Sequence, residues 1–495
     1  MARKPEDLQE AHRRRKKRES LLETLESIVV AFVLAFIFRA FIVEAFVIPT
    51  GSMAPTLDGA HAEFKCPNCG YRFAMGVEGR ARQPRCPNCF QSQPLPPGGV
   101  SLYSGDRVLV LKFLYDFEEP RRWDVIVFRN PNDPSQNYIK RLVALPGETI
   151  ELVGGNVTID GQIVQKTDRA QEALWMLVHD TRYRPARSDW VSRWAPFDPG
   201  WTESGSGFHM QPAQNGSVGI GAETAWLTYH HRAPDGRPSN IRDFYAYNSG
   251  GEDSPFGDNV CTDLALRGEV TVADSASQVI VELTAYKDRF RFEMAPKGSV
   301  LPTRILVNGQ PVAEAPAGVL PVGRSVPFLA ADVDHKLMLL VGGDRVAKPL
   351  AEHTTPEGDP LYEPTPLAED ERGQMDAVAG AAASVRIGAC GGPVTLAYLR
   401  LDRDVYYTNA RAQESLRPRH GTEGHPFHLG QDEFFVLGDN SPSSADCRLW
   451  TLPRPVVPRR NLVGKALFVY WPAAGPRTSL RIPILPDPRG WRFVH

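Results

Sequence analysis

An uncharged apolar stretch near the start of the chain, residues 27–38 (SIVVAFVLAFIF), most constrains what this sequence can fold into. As a helix the stretch would rise only about 18 Å, less than the ~30 Å hydrocarbon layer of a bilayer. A helix that continues to residue 48 is long enough to cross, because Arg39 can extend its guanidinium toward the far headgroups. The sequence therefore predicts a transmembrane anchor over residues 21–48.

A basic run at residues 13–18 (RRRKKR) precedes the apolar stretch. Positively charged residues are retained on the cytoplasmic side of a membrane. We therefore expect residues 1–20 to form a cytoplasmic tail and the chain beyond about residue 42 to be extracytoplasmic. The alternatives are a cleavable signal peptide, which lacks a clear small-x-small site here, and a buried core helix, which does not explain the basic run.

The long segment 170–430 contains many short stretches with strand-like alternation, separated by Gly, Asn and Asp. Glycine (42 residues) and proline (43 residues) are abundant in the chain, which favours turn-rich β structure over long helices. The stretches include VTVAD, VIVELTAY, RFRFEM, RILVNG, HKLMLLVGG, SVRIGA and VTLAYLRLDR. The pattern predicts a large antiparallel β-sandwich or barrel within a mainly β chain. The net charge of −2 gives no overall field for nucleic acid, so no such partner is expected.

Four of the seven cysteines form two C-P-N-C pairs within the segment 60–103. The pairs are Cys66 with Cys69 and Cys86 with Cys89. Paired C-x₂-C knuckles are typical of a zinc ribbon, in which four thiolates hold a tetrahedral Zn²⁺. One or two disulfides are the alternative, since this segment is expected outside the cytoplasm. We favour the structural zinc ion.

Three separate segments carry residues suited to hydrolytic chemistry. Residues 48–57 (IPTGSMAPTL) form a loop that presents Ser52 directly after the apolar stretch. Residues 138–142 (YIKRL) place Lys140 within a strand-like run, and residues 434–448 (FFVLGDNSPSSADCR) are typical of a strand that enters a polar turn. Each segment alone is common in ordinary structure. A serine becomes a nucleophile, however, where burial lowers the pKa of a neighbouring lysine from ~10.4 toward neutrality.

Together these segments resemble type I signal peptidase, the membrane-anchored Ser/Lys protease that removes signal peptides from exported proteins. The resemblance rests on PTGSMAPTL, GDRVLV, RWDVIVF, YIKRLVALPGE and VLGDNSPSSADCR in that order after the apolar stretch. It implies a β catalytic domain built from residues 49–59, 104–169 and 431–495. This domain is interrupted by two segments, which we name the cysteine insert (60–103) and the large insert (170–430).

The resemblance also implies the roles of individual residues. Ser52 corresponds to the nucleophile and Lys140 to the general base, and the Ser52 backbone N–H with the Thr50 hydroxyl corresponds to the oxyanion hole. Ser444 corresponds to the residue that orients the lysine. Asp446 and Arg448 correspond to an ion pair that supports the loop, and Arg141 is interpreted as structural.

The implied substrate pocket is shallow and apolar, so cleavage is expected after small-x-small sites. Its lining residues by the same correspondence are Phe46, Ile48, Tyr138 and Ile139. Catalysis would need no cofactor. The chain departs from the family pattern at Cys447, where serine is common, and this departure raises the hypothesis of a thiol-sensitive enzyme.

The partners implied by the resemblance are the signal peptides of exported preproteins and the lipid bilayer, with a secretion translocon as a further candidate. The implied location is the cytoplasmic (inner) membrane, with a single span, a cytoplasmic N-terminus and an extracytoplasmic catalytic domain. The competing hypotheses are an inactive binding scaffold and a self-cleaving regulator. The presence of both Ser52 and Lys140 disfavours the first, and the anchor disfavours the second.

The large insert weakly resembles the jelly-roll sandwiches of concanavalin-like lectins and glucanases. Its sequence shows no convincing carboxylate pair or metal cluster, so a binding or spacer role is favoured over a second enzyme, and its ligand stays open. A disulfide between Cys261 and Cys390 also stays open.

Overall fold

The computed structural model describes residues 22–34, 36, 42–77, 83–93, 102–186, 190–212, 223–248, 257–350, 354–409, 419–451, 453–471 and 491–495. The predicted cytoplasmic tail, residues 1–20, lies outside the described residues. Strands dominate the described chain, which confirms the prediction of a mainly β protein.

The first sheet gathers antiparallel strands from distant parts of the sequence. In spatial order they are Val43–Val47, Arg107–Leu111, Leu462–Trp471, Val125–Arg129, Asn137–Ala144, Glu433–Leu437 and Val457–Pro458, with Arg492–Phe493 paired to Leu462–Trp471. The alternation of buried and partly exposed side chains is typical of a strand in such a sheet. Val108 and Val110 are buried while their neighbours are partly exposed. The strand Asn137–Ala144 lies centrally, so the side chains it carries are positioned by neighbours on both edges.

A second, smaller sheet is built on a hairpin. Its strands in order are Gln162–Ile163, Asn156–Ile159, Thr149–Val153 and Phe427–His428. Asp160 and Gly161 have φ angles of 51° and 82°, as a two-residue hairpin turn of positive φ requires. Asp160 and Gly161 therefore form the two-residue turn between Asn156–Ile159 and Gln162–Ile163.

The large insert contains two further antiparallel sheets. The third sheet runs Trp201–Ser204, Gly207–Met210, Val394–Arg403, Leu264–Val272, Val326–Val333, Lys336–Val341 and Asp344–Arg345, with Met176–Asp180 also paired to Val394–Arg403. The fourth sheet runs Ala225–Thr228, Ala383–Cys390, Gln278–Ala285, Asp288–Met294, Arg304–Val307, Gln310–Glu314 and Lys348–Pro349. Leu264 and Leu266 of the third sheet share one apolar core with Val279 and Val281 of the fourth. Each of the seven strand-like stretches quoted from the sequence overlaps one of these strands, and four of them extend beyond its end.

The cysteine insert forms a three-stranded sheet, with strands Arg72–Gly76, His61–Lys65 and Leu102–Tyr103 in spatial order. Short helices complete the described chain. Besides the helical residues 22–34, the α-helices are Leu114–Phe117, Asp168–Leu174 and Glu369–Ala377, and the 3₁₀ turns are Gly51–Met53, Ala246–Asn248, Ser441–Ser443 and Arg459–Asn461.

The prediction of a helix is wrong for the C-terminal part of the transmembrane anchor. Val43–Val47 is a strand, with Val43 opposite Leu111 and Val47 opposite Arg107. An apolar run by itself does not distinguish helix from strand, and here the open edge of the first sheet accepts the segment. Residues 22–34 are helical. No helix within the described residues is both long enough and apolar enough to cross a bilayer.

A buried ion cluster joins the large insert to the first part of the chain. Lys166 Nζ donates to Asp334 Oδ1 and to Asp404 Oδ2, both at 2.7 Å. Burial alone would lower the pKa of Lys166, but the carboxylates of Asp334 and Asp404 raise it, so the ammonium stays charged. Asp263 brings a third carboxylate close to these two. The expectation of no carboxylate cluster in the large insert is wrong, since residues far apart in sequence meet here around one lysine.

We predict that Lys166→Ala destabilises the protein strongly, because Asp334 and Asp404 would remain buried without their shared cation. Breaking a buried pair in this way costs about 3–5 kcal/mol. Denaturant unfolding followed by tryptophan fluorescence measures the effect. The matched control is Arg237→Ala, whose ion pair with Asp235 is largely exposed and contributes little. Equal stability of the two variants would contradict the prediction.

Candidate active site

The serine loop begins where the strand Val43–Val47 ends. Ile48 N–H donates to Asp106 O at 2.8 Å, which fixes how the chain leaves the sheet. Gly51–Met53 then forms a 3₁₀ turn, closed by a hydrogen bond from Ala54 N–H to Gly51 O at 3.1 Å. Met53 is fully buried in the apolar cluster beneath the loop. Ser52 is therefore held on a short, anchored turn and is only 7% exposed.

The structure brings Lys140 to this serine. Lys140 lies on the central strand Asn137–Ala144, is 5% exposed, and places Nζ 2.6 Å from Ser52 Oγ. The Thr50 hydroxyl donates to the same Ser52 Oγ at 3.4 Å. The Ser52 N–H belongs to the first turn of a 3₁₀ segment, where N–H groups lack helical acceptors. One hydroxyl thus has an amine on one side and hydrogen-bond donors nearby.

The polar turn after the strand Glu433–Leu437 packs directly on the serine loop. Asn440 N–H donates to Ser52 O at 3.1 Å, and Asn440 Nδ2 donates to Gly51 O at 2.9 Å. Gly438 is required at this contact, because a Cβ there would lie 2.4 Å from Ser52 O and 2.2 Å from Ser444 Oγ. Only a residue without a side chain permits this close approach.

Ser444 is fully buried beside this glycine. Within the part of the chain that the structure describes, its hydroxyl oxygen has no hydrogen-bond partner of standard geometry, although its proximity to Asp446 helps to lower the pKa of that carboxyl. A buried hydroxyl without a well-formed partner costs free energy. Such a group is available to bond a neighbour when substrate or a proton arrives.

Asp446 and Arg448 form the buried ion pair expected from the sequence, with Arg448 Nη2 2.7 Å from Asp446 Oδ2. Burial raises the pKa of Asp446, but the Arg448 guanidinium and the hydrogen bonds from Arg448 and the Gly438 N–H outweigh it, and the pKa falls below its usual value. Arg448 also donates to Ser441 O at 3.0 Å and to Thr408 O at 2.6 Å. Arg448 therefore links Asp446 to Ser441 and stabilises the conformation of the polar turn.

Arg141, next to Lys140 in sequence, holds the other side of the turn. Its Nε and Nη2 donate to the two carboxylate oxygens of Asp439 at 2.7 Å each. Thr56, at the end of the serine loop, donates to Asp439 Oδ2 at 2.5 Å and accepts from Arg141 Nη2 at 3.1 Å. All three side chains are buried. No sequence pattern pointed to Thr56, which meets these partners only when the strands assemble.

The residues predicted to line a substrate pocket divide into two groups. Ile48 is buried beneath the loop, and Phe46 and Ile139 pack against the same apolar cluster. Tyr138 packs against a different cluster, and its ring centroid lies 5.8 Å from Lys140 Nζ. Three of the four residues therefore share one surface beneath Ser52, while Tyr138 flanks the lysine.

The cysteine insert brings its four thiols into one group whose sulfurs all lie within 4.8 Å of one another. Cys66 Sγ is 3.6 Å from Cys89 Sγ, and Cys69 Sγ is 3.6 Å from Cys86 Sγ. Four sulfurs at ~2.3 Å from a tetrahedral zinc ion are about 3.8 Å apart, whereas a disulfide bond is ~2.0 Å long. The arrangement fits a tetrahedral metal ligand set.

All seven cysteines are free thiols in the structure. Cys261 lies beside Asn259 O and Cys390 beside Gln278 Oε1, so the structure does not join them. Cys447 is fully buried, and burial raises the pKa of its thiol well above the usual value. Both findings disfavour the hypothesis of a thiol-sensitive Cys447, since reactivity needs an accessible thiolate.

The asparagines of the two C-P-N-C motifs attach the cysteine insert to the large insert. Asn88 Nδ2 donates to Tyr183 O at 2.8 Å, and Asn88 Oδ1 accepts from Asp180 N–H at 2.7 Å. Asn68 O accepts from Ala186 N–H at 2.9 Å. These bonds tie both knuckles to one segment of the large insert.

Two stretches of the chain, residues 99–194 and 376–471, match the family model described as signal peptidase, peptidase S26. Lys140 and the polar turn lie inside these stretches, and Ser52 lies outside them. Curated relatives include Signal peptidase I of Leptolyngbya laminosa, 31% identical over 153 residues (30% of this chain and 53% of the relative). Signal peptidase I of Pseudomonas fluorescens is 33% identical over 184 residues (34% of this chain and 53% of the relative). The chain spans about half the length of these two curated relatives.

Solved structures similar to this chain include the carbohydrate binding module CBM66 from Bacillus subtilis. The TM-score is 0.24 and the sequence identity 8%, over 41% of this chain and 90% of that module. A likeness at this level carries no argument about the fold or the ligand of the large insert.

We predict that the Cys447 thiol does not react with a maleimide in the folded protein, because its sulfur is buried and accepts a hydrogen bond from Val436 N–H at 3.3 Å. Peptide mass spectrometry after labelling checks this. The control is the same reaction in guanidinium chloride, where Cys447 becomes labelled. Equal labelling of Cys447 in the folded and unfolded protein would refute the assignment of an inert core thiol.

Proposed function

We propose that this chain is a signal peptidase, a serine endopeptidase that cleaves N-terminal signal peptides from exported preproteins after small-x-small sites at a membrane surface. The observation that carries the proposal is the 2.6 Å contact between Lys140 Nζ and Ser52 Oγ in a buried site. A serine beside a desolvated amine has the geometry of a nucleophile and its base. The match of residues 99–194 and 376–471 to the signal peptidase model supports the same reaction.

In this proposal the neutral Lys140 amine removes the proton from Ser52 Oγ, and the oxygen attacks the scissile carbonyl carbon. Only the neutral form of a lysine amine can accept a proton. The negative charge that develops on the carbonyl oxygen is stabilised by the Ser52 N–H and the Thr50 hydroxyl. The Lys140 ammonium then donates its proton to the leaving amine, which frees the new N-terminus. Water, deprotonated by the same amine, hydrolyses the remaining ester.

The polar turn supplies the supporting groups. Ser444 is buried beside Gly438, close to the Ser52 carbonyl, and its hydroxyl is available to orient the Lys140 amine. The Asp446 and Arg448 pair keeps the turn closed. Since both partners are desolvated, loss of either would leave a buried charge and displace Ser444.

Substrate selection is assigned to the apolar surface beneath the serine. Phe46, Ile48 and Ile139 would form shallow pockets for small side chains, with Tyr138 at the edge near Lys140. The helical residues 22–34 carry exposed apolar side chains such as Phe32 and Leu34. We propose that they anchor the protein in the cytoplasmic membrane, beside the apolar segments of its substrates and the secretion translocon.

We predict that Ser52→Ala and Lys140→Met abolish cleavage of a preprotein, with intact mass spectrometry marking the cut site. The lysine variant is expected to lose about 10²–10⁴-fold in kcat, the range typical of a general base. Lys140→Met keeps the length and the apolar stem of the side chain, so folding is preserved. The matched control is Lys287→Ala, an exposed lysine paired with Glu371 in the large insert, which should cleave normally. An active Lys140→Met enzyme would exclude the Ser/Lys mechanism.

We further propose that Cys66, Cys69, Cys86 and Cys89 hold one structural zinc ion. The 3.6 Å sulfur separations support this proposal over a pair of disulfides. When bound, the ion would connect the two C-P-N-C pairs and stabilise the fold of this small segment. We propose that the large insert is a jelly-roll sandwich with a binding role. This proposal rests on its strand pattern alone.

We predict one zinc ion per chain by elemental analysis, and its loss in Cys86→Ser, because the other three thiolates cannot complete a tetrahedral site. The matched control is Cys390→Ser, a buried thiol of the large insert that should leave the zinc content unchanged. A protein without zinc, whose intact mass is lower by four hydrogens, would indicate two disulfides instead.

A further inference from the structure

A short turn of the large insert, Ala246–Asn248, lies against the serine loop. Tyr247 is buried, and its ring packs on two glycines. A Cβ on Gly51 would lie 2.1 Å from Tyr247 Cε1, and a Cβ on Gly76 would lie 2.5 Å from the same atom. The turn therefore touches the serine loop at the residue that directly precedes Ser52, and it touches the cysteine insert at the same time.

The next residue, Asn248, forms a reciprocal amide pair with the polar turn. Asn248 Nδ2 donates to Asn440 Oδ1 at 2.6 Å, and Asn440 Nδ2 donates to Asn248 Oδ1 at 2.9 Å. Ser443 Oγ also donates to Asn248 Oδ1 at 3.2 Å. Two planar amides that bond in both directions fix the orientation of each other's side chain.

Asn440 in turn holds the backbone on both sides of the Ser52 N–H. Its amide group is 1% exposed and also donates to Gly51 O at 2.9 Å, while its N–H donates to Ser52 O at 3.1 Å. The carbonyls on either side of the Ser52 N–H are thus both held by Asn440. The partner that fixes the Asn440 side chain comes from the large insert.

We propose that Asn248 is a positioning residue for Ser52, and that the large insert is a working part of the active site and more than a spacer. The proposal rests on the function proposed above for Ser52. A reacting group displaced by about 1 Å loses on the order of 10²-fold in rate, so a turn that fixes the serine loop acts on kcat. The insert gives the catalytic loop a support that lies 192 residues away from Asn440 in sequence.

The first test needs no substrate. Hydrogen exchange of the peptide that covers residues 48–57 is measured by mass spectrometry in wild type and Asn248→Ala. We expect faster exchange of this peptide in the variant, because Asn440 loses the partner that orients it. The matched control is Asn240→Ala, whose amide bonds, among the described residues, to Met375 O, Asp376 O, Val378 O and Gly380 N–H within the large insert. This control should leave residues 48–57 protected.

The second test measures preprotein cleavage. We expect Asn248→Ala to lower kcat by about 10- to 100-fold with little change in KM. Asn248→Asp still accepts from Asn440 Nδ2 and Ser443, and should lose less. In an Asn440→Ala background, Asn248→Ala should have little further effect, since the two residues act through one bond pair.

The outcomes separate the two proposals. Unchanged exchange at residues 48–57 in Asn248→Ala, or an equal increase in Asn240→Ala, overturns the positioning role whatever the enzyme does. A wild-type protein that leaves the preprotein intact overturns the proposed function, while the exchange data still decide whether Asn248 holds the serine loop.

Discussion

The buried pair between Arg141 and Asp439 is the interaction on which the rest of the site depends. It joins the residue after Lys140 to the polar turn, and through Thr56 it also holds the end of the serine loop. Two charges removed from water are stable only when their hydrogen bonds are satisfied. The guanidinium therefore aligns three segments at once, and Lys140 Nζ reaches Ser52 Oγ because its neighbour in sequence is fixed in this way.

The two inserts are attached to this frame by polar contacts and not only by chain connectivity. Lys166 joins two carboxylates of the large insert, and Asn88 joins the cysteine insert to the strand Met176–Asp180. Asn248 of the large insert forms a hydrogen bond with Asn440 of the polar turn. Because buried polar groups must be paired, each contact specifies one docking orientation. The serine loop is thereby supported from the first sheet on one side and from the inserts on the other.

The sequence predicted local features well and long-range supports poorly. The strands of the large insert and the hairpin at Asp160-Gly161 follow from alternation and turn chemistry, which act over a few residues. The approach of Ser52 to Lys140 followed from a family resemblance, since no spacing rule relates residues 88 apart. The end of the transmembrane anchor was predicted as helix, because hydropathy does not reveal that a sheet edge is available to Val43–Val47.

The sequence by itself determined the mainly β character and the two C-P-N-C pairs, because these depend on composition and short motifs, and its resemblance to a known family pointed to Ser52 and Lys140. Only the tertiary structure decided that Thr56 and Asn248 meet the polar turn, that Asp334 and Asp404 share Lys166, and that the Cys447 thiol is buried. The physical reason is the same in each case. A hydrogen bond or a desolvated charge is defined by its partner, and these partners are brought together only when distant strands pack.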